Sequence, residues 1–385
     1  MDVNAWAALD EWRNQLKLRQ FAGMLIPFAG LMFYTGQSFA ATWQQALSAR
    51  ATTEYETNPA LSSTNQSRTR RFLIEPDYTL ARADGVDELK AGLALQIVRS
   101  SNQAVSLNRE DPRAFLNWSH QSNVGEFGIS ARYEEMATRA TEMDSTGLTT
   151  VDGTRTTRTT AASWSKALSE RSTLSADGAY SSVFYKNGAN VDYVTRSGGL
   201  KLSHEISEGV VPFINMSYVD QKLAGSVSSS RRVNAILGLN WKTTERLNLT
   251  TYAGRSRSNT ASSGSTNQYG LAAQYVGQLT GFSIKADRQT SPSGLGGFIT
   301  SDQISSSLSH DFSERNKAGI DMGWRKNRSI TNDINRNMDA WFQHDLSAFW
   351  HIRAHCLRRI REAGIVGRAS SNLIGITLTY RNSGL

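Results

Sequence analysis

The residues able to do chemistry in this chain are scattered, and their spacing argues first against catalysis. Its 385 residues hold six histidines (His120, His204, His310, His344, His351, His355) and one cysteine, Cys356. No H-E-x-x-H, C-x-x-C or G-x-S-x-G spacing is present, and Gly294-Leu295-Gly296-Gly297 is not followed by a helix pattern that would seat a nucleotide. The expectation is therefore a protein that is not an enzyme and holds neither cofactor nor metal. What recurs instead is charge at alternate positions. Arg132, Arg196, Arg232, Lys242, Lys285, Arg325 and Arg353 are read as one set lining the polar side of strands, with Arg50, Lys90 and Lys201 beside them. Glu54, Glu75, Asp77, Glu126, Glu134, Asp287 and Asp321 share that side. Basic groups in such a set attract anions through their summed field and through charge-assisted hydrogen bonds, so an acidic ligand is the matching chemistry.

The elements that place these groups have period two. Val233, Ala235, Leu237, Leu239 and Trp241 lie opposite Arg232, Asn234, Gly238, Asn240 and Lys242. Phe127, Ile129, Ala131 and Tyr133 lie opposite Glu126, Gly128, Ser130, Arg132 and Glu134. A helix, with period 3.6, would scramble both sets. The same alternation closes the chain: Ile374, Ile376, Leu378 and Tyr380 take one face, Gly375, Thr377 and Thr379 the other. This looks like the closing strand of an outer-membrane β-barrel, which resembles the signal read by the barrel-assembly machinery. Five residues follow Tyr380, where the commonest pattern ends on the aromatic.

A short turn repeats through the chain. Ala167-Leu168-Ser169-Glu170-Arg171 returns as Asp311-Phe312-Ser313-Glu314-Arg315, with looser copies around Ser207, Thr244, Thr280 and Ser347. The markers are 38, 37, 36, 33 and 34 residues apart, the length of two strands with one tight and one long connection. Counting outward gives an all-β chain: a transmembrane antiparallel up-and-down barrel of about 18 strands (16–18) with no plug domain. Thr/Ser/Asn/Gly-rich stretches such as 58–70, 137–155, 222–230 and 291–299 read as extracellular loops. Residues 356–367 alternate poorly and read as a short helix or ordered loop.

Composition fits. Hydrophobic residues are only 39% and mean hydropathy is -0.42, because only every second barrel residue meets lipid. Phe21–Gly36, after Arg13, Lys17 and Arg19 and before the small residues Ser38 and Ala40, reads as a signal peptide. The expected division is 1–40 signal peptide, 41–45 a short periplasmic segment and 46–385 the barrel. An N-terminal anchor is the alternative, disfavoured by Pro27. A lone thiol in an exported chain reads as a lipid-facing or core residue. The net charge of +8 would ordinarily suggest nucleic acid. Export excludes that partner and leaves acidic polysaccharide or lipopolysaccharide and other outer-membrane lipid.

Charged residues cannot face lipid cheaply, at about 2 to 4 kcal/mol for a midplane Arg or Lys. They must either neutralise one another in a closed lumen or line a weakly anion-selective conduit. His120, His204, His310 and His344 share one place, just before a tight turn, and read as headgroup-facing rather than as a metal ring. Aromatics from Tyr55 and Tyr78 to Trp324 and Tyr380 fall where an interfacial girdle would put them.

Ala51-Thr52-Thr53-Glu54-Tyr55-Glu56-Thr57-Asn58-Pro59, a strand ending in a Tyr-x-x-Asn-Pro turn, is followed by Arg71-Phe72-Leu73-Ile74-Glu75-Pro76. With the hairpins and the Thr377–Tyr380 end, this resembles the β-barrel porin-like proteins of exopolysaccharide gene clusters (the EpsL-like family). The resemblance implies a conduit or accessory porin in exopolysaccharide export, working beside periplasmic polysaccharide-export proteins. A barrel that sheathes or anchors a partner protein is the alternative, and a general diffusion porin the third reading.

Overall fold

A computed structural model describes residues 42–146, 152–186, 190–226, 229–259, 264–328, 333–363 and 367–383. The expected signal peptide lies outside them. The strands are β1 (Thr42–Glu56), β2 (Thr69–Ala83), β3 (Asp87–Ser100), β4 (Arg109–Ser122), β5 (Gly125–Ala137) and β6 (Thr154–Ser169). They continue as β7 (Ser172–Tyr185), β8 (Tyr193–His204), β9 (Val210–Leu223), β10 (Ser229–Lys242), β11 (Leu247–Ser258) and β12 (Ser265–Val276). The last are β13 (Thr280–Pro292), β14 (Phe298–Ser313), β15 (Asn316–Asn327), β16 (Ile334–Asp345), β17 (Trp350–Ala363) and β18 (Gly367–Ser383). One helix, α1 (Thr138–Thr146), stands between β5 and β6.

Each strand pairs antiparallel with its neighbours in sequence, and β1 also pairs with β18 along Ala46 to Glu56. The sheet therefore closes, and the fold is an eighteen-stranded transmembrane up-and-down β-barrel. Directly opposed residues share a face, so one assigned face propagates round the ladder. Ile374, Ile376 and Leu378 are 60%, 48% and 37% exposed and face outward, as their period predicts. Their β1 partners Tyr55, Thr53 and Ala51 do the same, and Glu54, Thr52 and Arg50 point in.

The repeated Ser or Thr has a local reason. Ser169, Thr244, Ser313 and Ser347 each accept a backbone N–H three residues on, at 3.1, 3.0, 3.2 and 3.2 Å. These hydroxyl-capped turns occupy one rim. The longer connections occupy the other, and there the buried residues gather: Leu61, Val183, Tyr193, Phe298, Ile299 and Leu373. Lower down, inward aromatics lie over glycines of the adjacent strand: Phe115 on Gly92, Phe213 on Gly238, Tyr252 on Gly270 and Trp341 on Gly319. A Cβ at any of these glycines would run into the ring. The missing side chain is what lets a large inward ring lie flat on the wall.

Two expectations need correction. Of residues 356–367, 356–363 are neither helix nor loop; they continue β17 as far as Ala363, 364–366 lie outside the described residues, and Gly367 begins β18. Alternation is masked there because both faces are charged beyond the apolar band: Arg359 and Arg361 pair inward with Glu56 and Asp333, while Glu362 pairs with Arg336. The stretch 137–155 is also not simply loop, since 138–146 is helical. Its remainder from 147 to 151 lies outside the described residues. β1 starts at Thr42, so residues 42–45 are already strand.

Candidate functional site: the lumen

The long-connection rim is crossed by chain. α1 leaves β5 and approaches β14, nine staves round the eighteen-stranded wall and so on its far side. Glu142 of α1 is fully buried and its Oε1 accepts the Tyr185 hydroxyl at 2.6 Å. The Arg155 guanidinium lies over the same Tyr185 ring and donates to the Tyr193 hydroxyl at 3.3 Å. From the opposite wall, the 293–297 connection brings Gly294 against the Tyr185 ring. There the Gly294 carbonyl accepts Val191 N–H at 2.7 Å, and the Ser293 carbonyl accepts Gln221 Nε2 at 3.0 Å. Arg139, also in α1, donates to the Val105 carbonyl at 2.6 Å, and burial lowers its pKa from the ordinary guanidinium value. Helix and loop thus meet across the mouth and narrow it.

At the same rim the barrel seam is tied. Glu56 accepts Arg71 Nη2 at 2.8 Å, Arg359 Nη1 at 3.1 Å and Ser371 Oγ at 3.0 Å. Asn58 accepts Ser62 N–H at 3.1 Å through Oδ1 and donates through Nδ2 to the carbonyls of Ser62 (2.8 Å) and Ser370 (3.1 Å). The Tyr-x-x-Asn-Pro turn is therefore a buried clasp joining β1 to β18.

Towards the short-turn rim the lumen holds cavities lined by inward side chains. A cavity of about 400 Å³ is lined by Lys90, Glu126, Asp177, Asn117 and Ser130 among others. A second of about 310 Å³ shares Asn117 and Ser130 and adds Arg132, Glu134 and Phe115.

Six of the seven basic residues expected in the lumen do face inward, spread around it rather than gathered in one place. Arg132 lines the second of these cavities. Lys285 pairs with Asp287 at 3.4 Å, and Arg325 donates to Gln303 at 2.6 Å. Arg232 lies under the Phe298 ring at 5.2 Å, and Lys242 ends β10 at the short-turn rim. Arg353 stacks on Trp341, 4.2 Å from the ring centre. Arg196 is the exception: it sits opposite Tyr180 and Asp220 on the outer face, in step with Leu200 and Leu202. The paired glycines Gly198 and Gly199 blur the parity, and of Arg196 and Lys201, both in β8, it is Lys201 that points in.

Lys201 makes the arrangement informative. Its Nζ lies 4.6 Å from the centre of the Phe213 ring. β8 and β17 are nine staves apart, so Lys201 on Phe213 faces Arg353 on Trp341 from the opposite wall. Each cation lies three residues in from the short-turn end of its strand. Neither makes an ion pair with a carboxylate among the described residues, whereas Arg71, Arg109, Arg113 and Arg361 all do. Sequence reasoning marked both Lys201 and Arg353 as inward but not their ring contacts, because the ring that carries each cation comes from the next strand.

His120, His204, His310 and His344 face outward near the short-turn rim. Each Nδ1 bonds a neighbouring strand, through Asp87, Ser172, Thr280 and Asn316 at 2.8 to 2.9 Å. They sit on β4, β8, β14 and β16 and do not converge. His351 and His355 point in, beside Asp345 (2.8 Å) and Asp339 (3.5 Å). Cys356 is exposed on the lipid side.

No protein-family model matches the chain, and no curated protein sequence matches it. Solved structures share its fold. It is similar to OccAB4 of Acinetobacter baumannii (TM-score 0.50, 8% identity), over 89% of this chain and 98% of that one. It is similar to the outer membrane protein OpdK of Pseudomonas aeruginosa (TM-score 0.51, 10% identity), over 89% and 99%. OccK2 (OpdF) of the same organism matches at TM-score 0.50 and 9% identity, over 89% and 98%. At these identities the likeness is one of fold.

Proposed function

We propose that this chain is an outer-membrane conduit for acidic saccharides, narrowed at the cell surface and open toward the periplasm. The observation that carries the reading is the opposed pair of aromatic-backed cations, Lys201 on Phe213 and Arg353 on Trp341. A cation held over an aromatic ring and without a carboxylate partner suits the acid group of a sugar. Short turns at one rim and long connections at the other fit the usual orientation, with long loops outside. The barrel likeness to an outer membrane protein supports the location.

The exopolysaccharide role expected from the sequence is the polymeric case of this reading. In that case the cations would steer a secreted acidic polymer or its fragments, beside periplasmic export proteins. The chain crossing at the long-connection mouth favours short saccharides over a wide polymer channel. It also favours, as a second reading, an accessory barrel of the export assembly. Changing Arg132, Lys201 and Arg353 together to Gln in cells should reduce release of acidic saccharide while leaving a heat-modifiable barrel in the outer membrane. Unchanged release with normal assembly would rule the reading out.

A further inference from the structure

The outer face carries a charged patch that the conduit does not use. In β8 to β11, at the long-connection end, Arg196, Arg231, Arg255 and Arg257 all point away from the lumen. The register fixes this: Arg196 and Arg231 both oppose Asp220, Arg257 opposes Val233, and Arg255 opposes Ala235. Immediately below lie Leu200, Met216, Val233 and Leu237, from 53% to 62% exposed, which is the apolar band of the wall. Four guanidinium groups thus stand on three of four adjacent staves, β8, β10 and β11, at the upper edge of the lipid-facing surface, with Asp220 of β9 between them.

Their partners are few. Arg231 Nε approaches Asp220 Oδ1 at 3.5 Å, and Arg255 Nε donates to the Ser265 hydroxyl. Arg196 and Arg257 make no ion pair among the described residues. Four positive charges against one carboxylate would repel each other and gain nothing from an uncharged surrounding. Elsewhere on this level Arg99 is matched with Glu110, Arg288 with Asp302 and Arg336 with Glu362, and Arg158 lies over the Tyr133 and Phe184 rings. β8–β11 hold four outward arginines against one carboxylate.

We infer that this patch binds the phosphate groups of a phosphorylated glycolipid of the outer leaflet, whose acyl chains lie on the apolar residues beneath. Charge and position both select that occupant. Guanidinium forks match phosphate oxygens, and anionic headgroups sit at the boundary between apolar band and water. A soluble phosphate would satisfy the charge but would have no use for the apolar strip. The inference rests on the outer-membrane location proposed above and is independent of what passes through the lumen.

The test is native mass spectrometry of the detergent-solubilised barrel with diphosphoryl lipid A, fully dephosphorylated lipid A and inorganic phosphate. Wild type should bind the diphosphoryl lipid about tenfold more tightly than the R196Q/R255Q/R257Q variant, on the scale of lost charge-assisted contacts. The dephosphorylated lipid should bind both proteins alike and weakly, and the lumen variant K201Q/R353Q should retain wild-type lipid binding. Equal binding by wild type and triple variant, or binding indifferent to lipid phosphate, overturns the inference. Inorganic phosphate that binds as tightly as the lipid overturns it too. Should the triple variant fail the heat-modifiability check, R255Q alone carries the comparison. Failure of the conduit reading would show as absent conductance, which leaves these outcomes unaffected.

Discussion

Glu56 of β1 and Arg359 of β17 meet at 3.1 Å across the place where the barrel closes. β18 lies between their strands, and Arg71 reaches the same carboxylate from β2, so one side chain spans four staves. Glu56 is 1% exposed, and removing it leaves Arg359 without its carboxylate and Arg71 with Glu54 alone. Glu56→Ala should therefore destabilise the folded barrel by about 1.5 to 3 kcal/mol, as loss of hydrogen bonds to a charged group does. Glu54→Ala should cost less, because Arg71 keeps Glu56. The midpoint of the heat-induced gel shift checks the order of the two variants; equal midpoints would contradict it.

The ring-on-glycine contacts predict a packing effect in the open half of the wall. Gly238→Val puts methyl groups into the Phe213 ring and should cost about 1 to 3 kcal/mol by overpacking. Adding Phe213→Ala should recover much of that loss, measured as refolding yield or heat-shift midpoint. A neutral Gly238→Val would mean the ring has another place to go.

How much of this was legible in the sequence differs by region. In the lower wall, where Leu237 and Trp241 alternate with Gly238 and Lys242, period two gave each face correctly, and the strand count of eighteen followed from the spaced hydroxyl turns. At the upper rim the strands run past the apolar band, and both faces turn polar. Arg196 was assigned to the wrong face there, and residues 356–363 lost their strand signature. α1 was invisible for another reason. Thr138–Thr146 has no apolar stripe, and what holds it is Glu142 on Tyr185, a contact 43 residues distant in the chain.

The crossing of the mouth makes a functional prediction. Tyr185 is the ring on which Glu142, Arg155 and Gly294 converge. Tyr185→Ala should loosen α1 from the 293–297 connection and raise single-channel conductance, with no change in charge. A conductance equal to wild type would place the narrowing elsewhere.

Ion preference should follow the unpaired cations rather than the total lumen charge. Replacing Lys201 and Arg353 with Gln should move the reversal potential in a potassium chloride gradient toward cation preference. Replacing Lys285, already held by Asp287 at 3.4 Å, should move it less. Reversal potentials that track only the number of charges removed would contradict this.

The measurement closest to the central claim is planar-bilayer recording of the refolded barrel, residues 42–385, with an acidic oligosaccharide and its neutral counterpart. The account predicts an anion-leaning conductance, occluded by the acidic sugar added from the short-turn side and far less by the neutral one. It also predicts that the Lys201→Gln/Arg353→Gln variant loses that distinction. A folded barrel that conducts without preference, or that both sugars occlude alike, would contradict it.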